Sequence, residues 1–364
     1  MLNPTLSHDS VLNALRTVQD PDLRRDLVSL GFIKHLAIDG GRVAFQIELT
    51  TPACPVRDLM RDEARKAVLA VPGVTSVEIG MTSQVRRAAT TRPSTGLTPT
   101  IKHIIPIASG KGGVGKSTVS ANLAIALANT GARVGLMDAD VYGPSIPTIL
   151  GIQSQPEVDE QNRITPVEQY GVKVVSMGFF MKPEDAVVWR GPMLHKTVEQ
   201  FLGGVVWGEL DYLLVDLPPG TGDVQLSLCQ LIPITGAVIV STPQDVALNV
   251  AQKAIAMFNK LKAPILGIVE NMSHFVCAHC GQRDDIFGSG GARQIAQRLS
   301  IPFLGEIPLA TPIREASDAG KPLVLAQPES PAAKAFVSAA EQLAAQVSIR
   351  TMQGEVAPAI KVTF

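Results

Sequence analysis

Aromatic residues are scarce. Two Trp, three Tyr and 11 Phe make up 4% of 364 residues, too few for a surface that grips nucleic acid by stacking on its bases. Charge of either sign is not in excess. Lys and Arg number 32, Asp and Glu 33, for a net charge of −1. That argues against coating nucleic acid by charge alone. No apolar run approaches the roughly 18–20 residues that a membrane helix needs. The opening MLNPTLSHDS has neither the basic nor the apolar part of a secretory signal. A cytoplasmic setting is therefore expected, with no nucleic-acid or membrane partner. Cysteine is limited to Cys54, Cys229, Cys277 and Cys280. In a reducing compartment these should be thiols, metal ligands or catalysts rather than disulfides. Hydrophobic residues (46%), 31 Gly and 26 Pro are plentiful. They allow a large core with many tight connections and argue against disorder. At roughly 150 residues per domain, the length suggests two or three domains.

A linker is expected at 86–100, where RRAATTRPSTGLTPT is rich in Thr, Arg and Pro and lacks apolar periodicity. Residues 1–85 read as a small α+β domain. Ser7 or Asp9 caps a helix bearing Val11, Leu12, Leu15 and Val18. Alternating segments 32–39 and 42–50 flank Gly40-Gly41 as a β-hairpin. A helix follows at 55–70 and a strand at 76–81. Residues 101–350 alternate between strand and helix patterns. Strands are predicted at 102–108, 132–138, 172–177, 211–216, 235–241, 264–270 and 302–307. Helices are predicted near 116–130, 192–203, 223–231, 246–261, 291–299, 312–319 and 330–347. Strands apolar at every position, such as Tyr212–Val215 and Ala237–Val240, mark a sheet buried on both faces. The expected fold is a doubly wound, mostly parallel α/β domain, with ligands at the carboxyl ends of its strands. Residues 351–364 read as a tail without an amphipathic pattern. Pro106 is out of place inside a central strand.

Ser109-Gly110-Lys111-Gly112-Gly113-Val114-Gly115-Lys116-Ser117-Thr118 follows an apolar strand and opens a helix. Gly110, Gly112 and Gly115 satisfy G-x-G-x-x-G, a dinucleotide pattern. Gly110, Gly115, Lys116 and Ser117 satisfy the longer G-x-x-x-x-G-K-S/T, which demands specific chemistry and is preferred. Its glycines let backbone N–H groups curl around phosphate at a helix N-terminus. Lys116 would neutralise β- and γ-phosphate charge, and Ser117 would ligate Mg²⁺. A second loop lysine, Lys111, is either a solvated charge or the first lysine of K-G-G-x-G-K-S/T. In that form the segment resembles the deviant Walker A ATPases, which include ArsA, MinD, ParA and the nitrogenase iron protein. The resemblance implies that Lys111 reaches a partner's nucleotide across a dimer.

Phosphoryl transfer also needs Mg²⁺ ligands and a group that orients water. Asp138-Ala139-Asp140 ends one strand; Leu213-Leu214-Val215-Asp216 ends another and leads into Pro218-Pro219-Gly220-Thr221-Gly222. Asp216 would meet the metal through water. Asp140 would orient the attacking water, Asp138 lying nearer the strand. The Gly220 N–H could contact the γ-phosphate. Asn271, at the expected end of a strand, matches the adenine-binding Asn of the resembling ATPases. Pro308 would flank the base.

Cys277-Ala278-His279-Cys280 admits a redox pair, a structural zinc site or an iron–sulfur site. Its polar flanks do not suit a redox pair. An iron–sulfur site wants four thiolates. Cys229 reads as core and Cys54 lies across the linker. Two chains would supply Cys277 and Cys280 twice, giving four thiolates on a twofold axis.

The whole set resembles the Mrp/ApbC-type iron–sulfur cluster carrier ATPases over residues 101–325. The matching segments are Lys111–Thr118, Asp138–Ser145, Trp189-Arg190-Gly191-Pro192-Met193, Asp216–Asp223, Thr242-Pro243-Gln244, Asn271-Met272-Ser273 and Cys277-x-x-Cys280. Asp20-Pro21, Gly31-Phe32-Ile33 and Thr50–Pro55 resemble the small iron–sulfur-assembly-type domain fused to such carriers. The resemblance implies a homodimeric ATPase using ATP and Mg²⁺, with a 4Fe-4S cluster passed to apo iron–sulfur proteins and with cluster assembly factors as partners. Cys54, placed before Pro55 at an expected helix start, is either a transfer thiol or a small half-buried residue. Rival readings are a MinD/ParA-like spatial organiser and a zinc-bridged regulatory ATPase.

Overall fold

The computed structural model describes residues 6–87, 97–181, 191–277 and 279–354. It divides into two compact units, Met1–Arg86 and Arg87–Phe364. Part of the expected linker, residues 88–96, lies outside the described residues, as do Trp189, Arg190 and residues 355–364.

In the first unit, Ser7 rather than Asp9 caps α1 (His8–Leu15). Its Oγ accepts from the Ser10 N–H at 3.2 Å, and the Ser10 Oγ accepts from the Ser7 N–H at 3.0 Å. Val11 and Leu15 are buried on it. Val18 is buried too but lies beyond the helix. Strands β1 (Ile33–Asp39) and β2 (Arg42–Leu49) form the expected hairpin, turning through Gly40 at φ 56°. Alternate residues Val43, Phe45, Ile47 and Leu49 of β2 are buried, as a period of two requires. Helix α2 (Arg57–Leu69) buries Met60, Ala64 and Val68, and β3 (Ser76–Ser83) pairs parallel with β2. The expected start of α2 at Pro55 is corrected. Val56 is the N-cap, so Cys54 sits in a turn before the helix, where its carbonyl accepts from the Arg57 N–H at 3.4 Å.

The second unit holds a nine-stranded sheet. Its elements are β4 (Ile101–Ser109), α3 (Lys116–Asn129), β5 (Val134–Asp138), β6 (Val172–Ser176), α4 (Gly191–Gly203), β7 (Leu210–Asp216), α5 (Asp223–Leu231), β8 (Ala237–Ser241), α6 (Asp245–Lys260), β9 (Ile265–Val276), β10 (Arg283–Asp284), α7 (Gly291–Arg298), β11 (Phe303–Leu309), α8 (Thr311–Asp318) and α9 (Pro331–Gln353). The order is β6-β5-β7-β4-β8-β9-β11, all parallel. Val167–Gln169 adds antiparallel to β6, and β10 adds antiparallel to β9. Ile104, Met137, Leu213 and Ile239 on one face share a core with Phe201, Leu228, Phe258 and Ile295 of α4 to α7. Helices α3 and α9 pack on each other against the other face.

Two boundaries of the second unit differ from expectation by more than two residues. Helix α9 runs to Gln353 and ends at Gly354 with φ 75°, so the tail starts later than residue 351. Strand β9 continues past Asn271 to Val276, because β10 and β11 supply it with further partners. Pro106 sits in central β4, in register with Val215 of β7, while pairing with β8 begins only at Ile107. The donor it lacks therefore interrupts no β8 pair.

The first unit has its own alternating core, so residues 1–87 expressed alone should unfold cooperatively in urea. Phe45→Ala should cost that fragment about 3–5 kcal/mol. A fragment without a cooperative transition would show that the core is insufficient.

Candidate functional site

The glycine loop turns from the end of β4 into α3. Gly115 has φ 78°, and a Cβ there would lie 2.3 Å from Asn271 Nδ2. A Cβ on Gly110 would lie 2.4 Å from the Val250 carbonyl carbon and 2.5 Å from the Ala251 nitrogen of α6. Glycine is thus required at both ends of the loop, once to admit Asn271 and once to seat the loop on a helix backbone. Gly113, at φ 77°, has open space where its side chain would be. The loop borders a cleft of about 610 Å³, lined by Lys111–Thr118 together with Asp140, Asn271, Met272 and Pro308. The α3 N-terminus presents free N–H groups there, suited to an anion. An open glycine cradle with an ammonium and a hydroxyl fits a nucleotide phosphate chain.

Two carboxylates meet one ammonium, and a third lies beside them. Buried Lys116 places Nζ 2.8 Å from Asp216 Oδ2 and 3.8 Å from Asp140 Oδ2. Ser117 Oγ donates to Asp216 Oδ2 and Ser120 Oγ to Asp216 Oδ1, each at 2.6 Å. Asp216 and Asp138 are both fully buried. Asp138 accepts from the Asp140 N–H at 3.1 Å, the Ile146 N–H at 3.2 Å and the Ser176 hydroxyl at 2.8 Å, which ties down the loop after β5. Burial, then the nearby Asp216 charge, pushes Asp138 up to about 7. Burial also raises Asp140, against the pull of Lys116. Oxygen ligands gathered around excess negative charge fit Mg²⁺, with Ser117 and Asp216 in reach of one another.

Lys111 turns aside, and its Nζ donates to Gln244 Oε1 at 3.2 Å. Asn271 Nδ2 donates to the Val114 carbonyl at 2.8 Å, inside the loop. Met272, next in β9, has φ 54°, a left-handed conformation uncommon for a residue with a side chain. The Gly220 N–H is already engaged, donating to the Ser109 carbonyl at 2.9 Å.

Strand β9 leads from the cleft directly to Cys277. The Cys277 N–H donates to the Gln282 carbonyl at 2.9 Å, and the Gly281 N–H to the Cys277 carbonyl at 2.8 Å. The two cysteines thus sit in the turn joining β9 to β10, with Gly281 at φ 70°. The backbone N–H of Cys280, then that of His279, and the Cys280 side chain lower the Cys277 thiol. Cys277 is half-buried and Cys280 exposed, which suits metal thiolates. Among the described residues, no three His, Cys, Asp or Glu gather to hold a metal. Cys229 is buried, and burial pushes its thiol up to about 12, as expected of a core residue. His103 is buried, its Nδ1 3.2 Å from Thr235 Oγ1.

Sequence reasoning missed Ser120, although i+4 spacing from Lys116 on α3 puts it on the same helix face. It placed a helix near 312–319 but not its role: α8 adds Ile313, Arg314, Ser317 and Asp318 to the cleft wall. Glu270 was missed too. Its buried carboxylate accepts from the Gly290 N–H at 3.1 Å and the Ala292 N–H at 2.7 Å, pinning the start of α7 to β9.

Gly110→Ala should lower nucleotide affinity by at least about tenfold, read by titration with a fluorescent ADP analogue, because its methyl would collide with the α6 backbone. Unchanged affinity would mean that the loop can shift freely. Asp138 takes a proton more readily folded than unfolded, where its value is near 3.8. Its stability contribution is therefore fully present below pH 4 and lost as pH rises through about 7. Without nucleotide, the stability of the natural chain relative to Asp138→Ala should fall over that window in urea titrations. A constant offset would contradict the assignment.

Comparison with known proteins shows the family. Residues 100–344 match the ParA family described as NUBPL iron-transfer P-loop NTPase, and residues 8–79 match the family of iron–sulfur cluster assembly proteins. A Deinococcus radiodurans protein named iron–sulfur cluster carrier protein is 52% identical over 95% of this chain and 97% of its own length. An Escherichia coli protein of the same name is 40% identical over 98% of this chain and 96% of its own. Among solved structures, a nucleotide-binding protein from Archaeoglobus fulgidus in complex with ADP is 44% identical. It covers 61% of this chain and 88% of its own, at a TM-score of 0.55. The cell division ATPase MinD of Pyrococcus furiosus is 27% identical, covering 66% of this chain and 97% of its own at a TM-score of 0.51. With its glycine loop, strand-end carboxylates and full-length relatives, the chain belongs to the NUBPL-type ParA family of P-loop NTPases and carries an N-terminal iron–sulfur-cluster-assembly domain.

Proposed function

We propose that this chain is an ATP-hydrolysing iron–sulfur cluster carrier, which binds a 4Fe-4S cluster between two copies of itself and passes it to apo-proteins. One observation carries the reading: β9 holds Asn271 in the nucleotide cleft and ends at Val276, the residue before Cys277. Five residues of strand lie between Asn271 and Cys277, a span of at most about 20 Å. Relatives named iron–sulfur cluster carrier proteins, similar over nearly the whole chain, support it.

In this reading, the backbone of Gly110, Lys111, Gly112, Gly113, Val114 and Gly115 cradles the phosphates of ATP, with Thr118 in the first turn of α3. Lys116 exchanges Asp216 for phosphate oxygens. Ser117 and Asp216 would hold Mg²⁺, which would supply charge neutralisation for the transferring phosphoryl group. Asp140, at the cleft, orients the attacking water. Lys111 reaches the nucleotide of the second copy. Asn271 leaves the Val114 carbonyl for the adenine edge. The left-handed backbone at Met272 is the point where β9 can change shape and carry that change to Cys277. Cys277 and Cys280 from two chains make four thiolates, the number a cubane cluster takes. The N-terminal unit would serve exchange with apo-proteins or assembly factors.

Anaerobic reconstitution with iron and sulfide should give about four irons per two chains and a charge-transfer band in the visible spectrum. Cys277→Ala should lose both while binding ATP analogue with unchanged affinity. A variant that keeps a full cluster would refute the proposal, as would anaerobically purified protein holding zinc in place of iron. ATP-dependent sedimentation with liposomes or DNA would favour a spatial organiser.

A further inference from the structure

Gln244 is the N-cap of α6, yet its side chain makes no cap hydrogen bond. Glutamine is not among the residues favoured at that position. Its amide oxygen faces the glycine loop instead and accepts twice, from Lys111 Nζ at 3.2 Å and from Thr242 Oγ1 at 3.0 Å. The Thr242 hydroxyl, on a buried residue, fixes which way the amide points. The backbone beneath is fixed as well. A Cβ on Gly291 would lie 2.8 Å from the Pro243 carbonyl oxygen and 2.4 Å from Leu248 Cδ1, so α7 packs hard against the start of α6. The ammonium of Lys111 is thereby held within its own chain by a neutral acceptor. A carboxylate would bind it more strongly, since charge-assisted hydrogen bonds are roughly twice as strong.

We infer that Gln244 is a positioning residue that parks Lys111 in its own chain and releases it when a second copy offers its nucleotide. The inference rests on the proposed role of Lys111 across the dimer. Parking opposes association, and the choice of an amide keeps it reversible. Gln244→Glu turns the latch into an ion pair and strengthens it. Gln244→Ala removes it, and Thr242→Val leaves the amide free to swing away.

The test uses the full chain with a non-hydrolysable ATP analogue and Mg²⁺. Self-association is followed by sedimentation, alongside steady-state kcat and KM. Gln244→Glu should weaken nucleotide-dependent dimerisation by at least about tenfold and lower kcat. Gln244→Ala and Thr242→Val should tighten it. KM and the affinity of the monomer for ADP should hold in all three. A merely structural role would move every variant in one direction and change nucleotide affinity. Variants that shift together, or that match the natural chain while Lys111→Ala fails to dimerise, overturn the latch and leave the role of Lys111 standing. If Lys111→Ala itself dimerises and turns over normally, the role of Lys111 across the dimer falls, and the latch with it.

Discussion

The site is organised around one buried ammonium between two carboxylates, with a third beside them. Lys116 sits against Asp216 and near Asp140, while fully buried Asp138 lies close enough to Asp216 for each charge to oppose the other. One ammonium does not balance three carboxylates, and burial first, then the charge of Asp216, pushes Asp138 and Asp140 toward protonation. The imbalance favours a divalent cation, and the phosphate chain then takes over Lys116. The sheet order makes this crowding possible. β4, β5 and β7 lie side by side and end at one edge, so the glycine loop, Asp138 and Asp216 emerge together.

The same edge carries the second half of the account. β9 brings Asn271 to the glycine loop, turns through Met272 and ends at Val276, just before Cys277. Glu270, one residue before Asn271, pins the chain returning from the cysteine turn. A shift of Asn271 therefore has a covalent route to the thiols and a hydrogen-bonded route to α7. An energetic link between sites needs an element with two arrangements that both sites can bias. In the proposed mechanism β9 is that element.

Much of this was legible because its signals are local. The glycine loop announces itself by spacing, the buried strands by continuous apolar runs, and Asp216 by the four apolar residues before it. What stayed hidden depends on residues far apart in the chain. Gln244 meets Lys111 across 133 positions and Asn271 meets Val114 across 157. Nothing near Asp138 in sequence signals Ser176, its partner through parallel pairing of β5 and β6. Asn271 looked like a strand end, yet lateral pairing with β10 and β11 carries β9 on to Val276, beside the cysteines. Pro55 looked like a helix start, but the turn around Cys54 delays α2 to Arg57.

The central claim is that nucleotide at the glycine loop is felt at Cys277 and Cys280. The most direct measurement is the rate at which a chelator strips iron from the reconstituted protein, with and without Mg-ATP. The account predicts a several-fold change in that rate on adding nucleotide. Equal rates under both conditions, with nucleotide binding verified in the same samples, would contradict it.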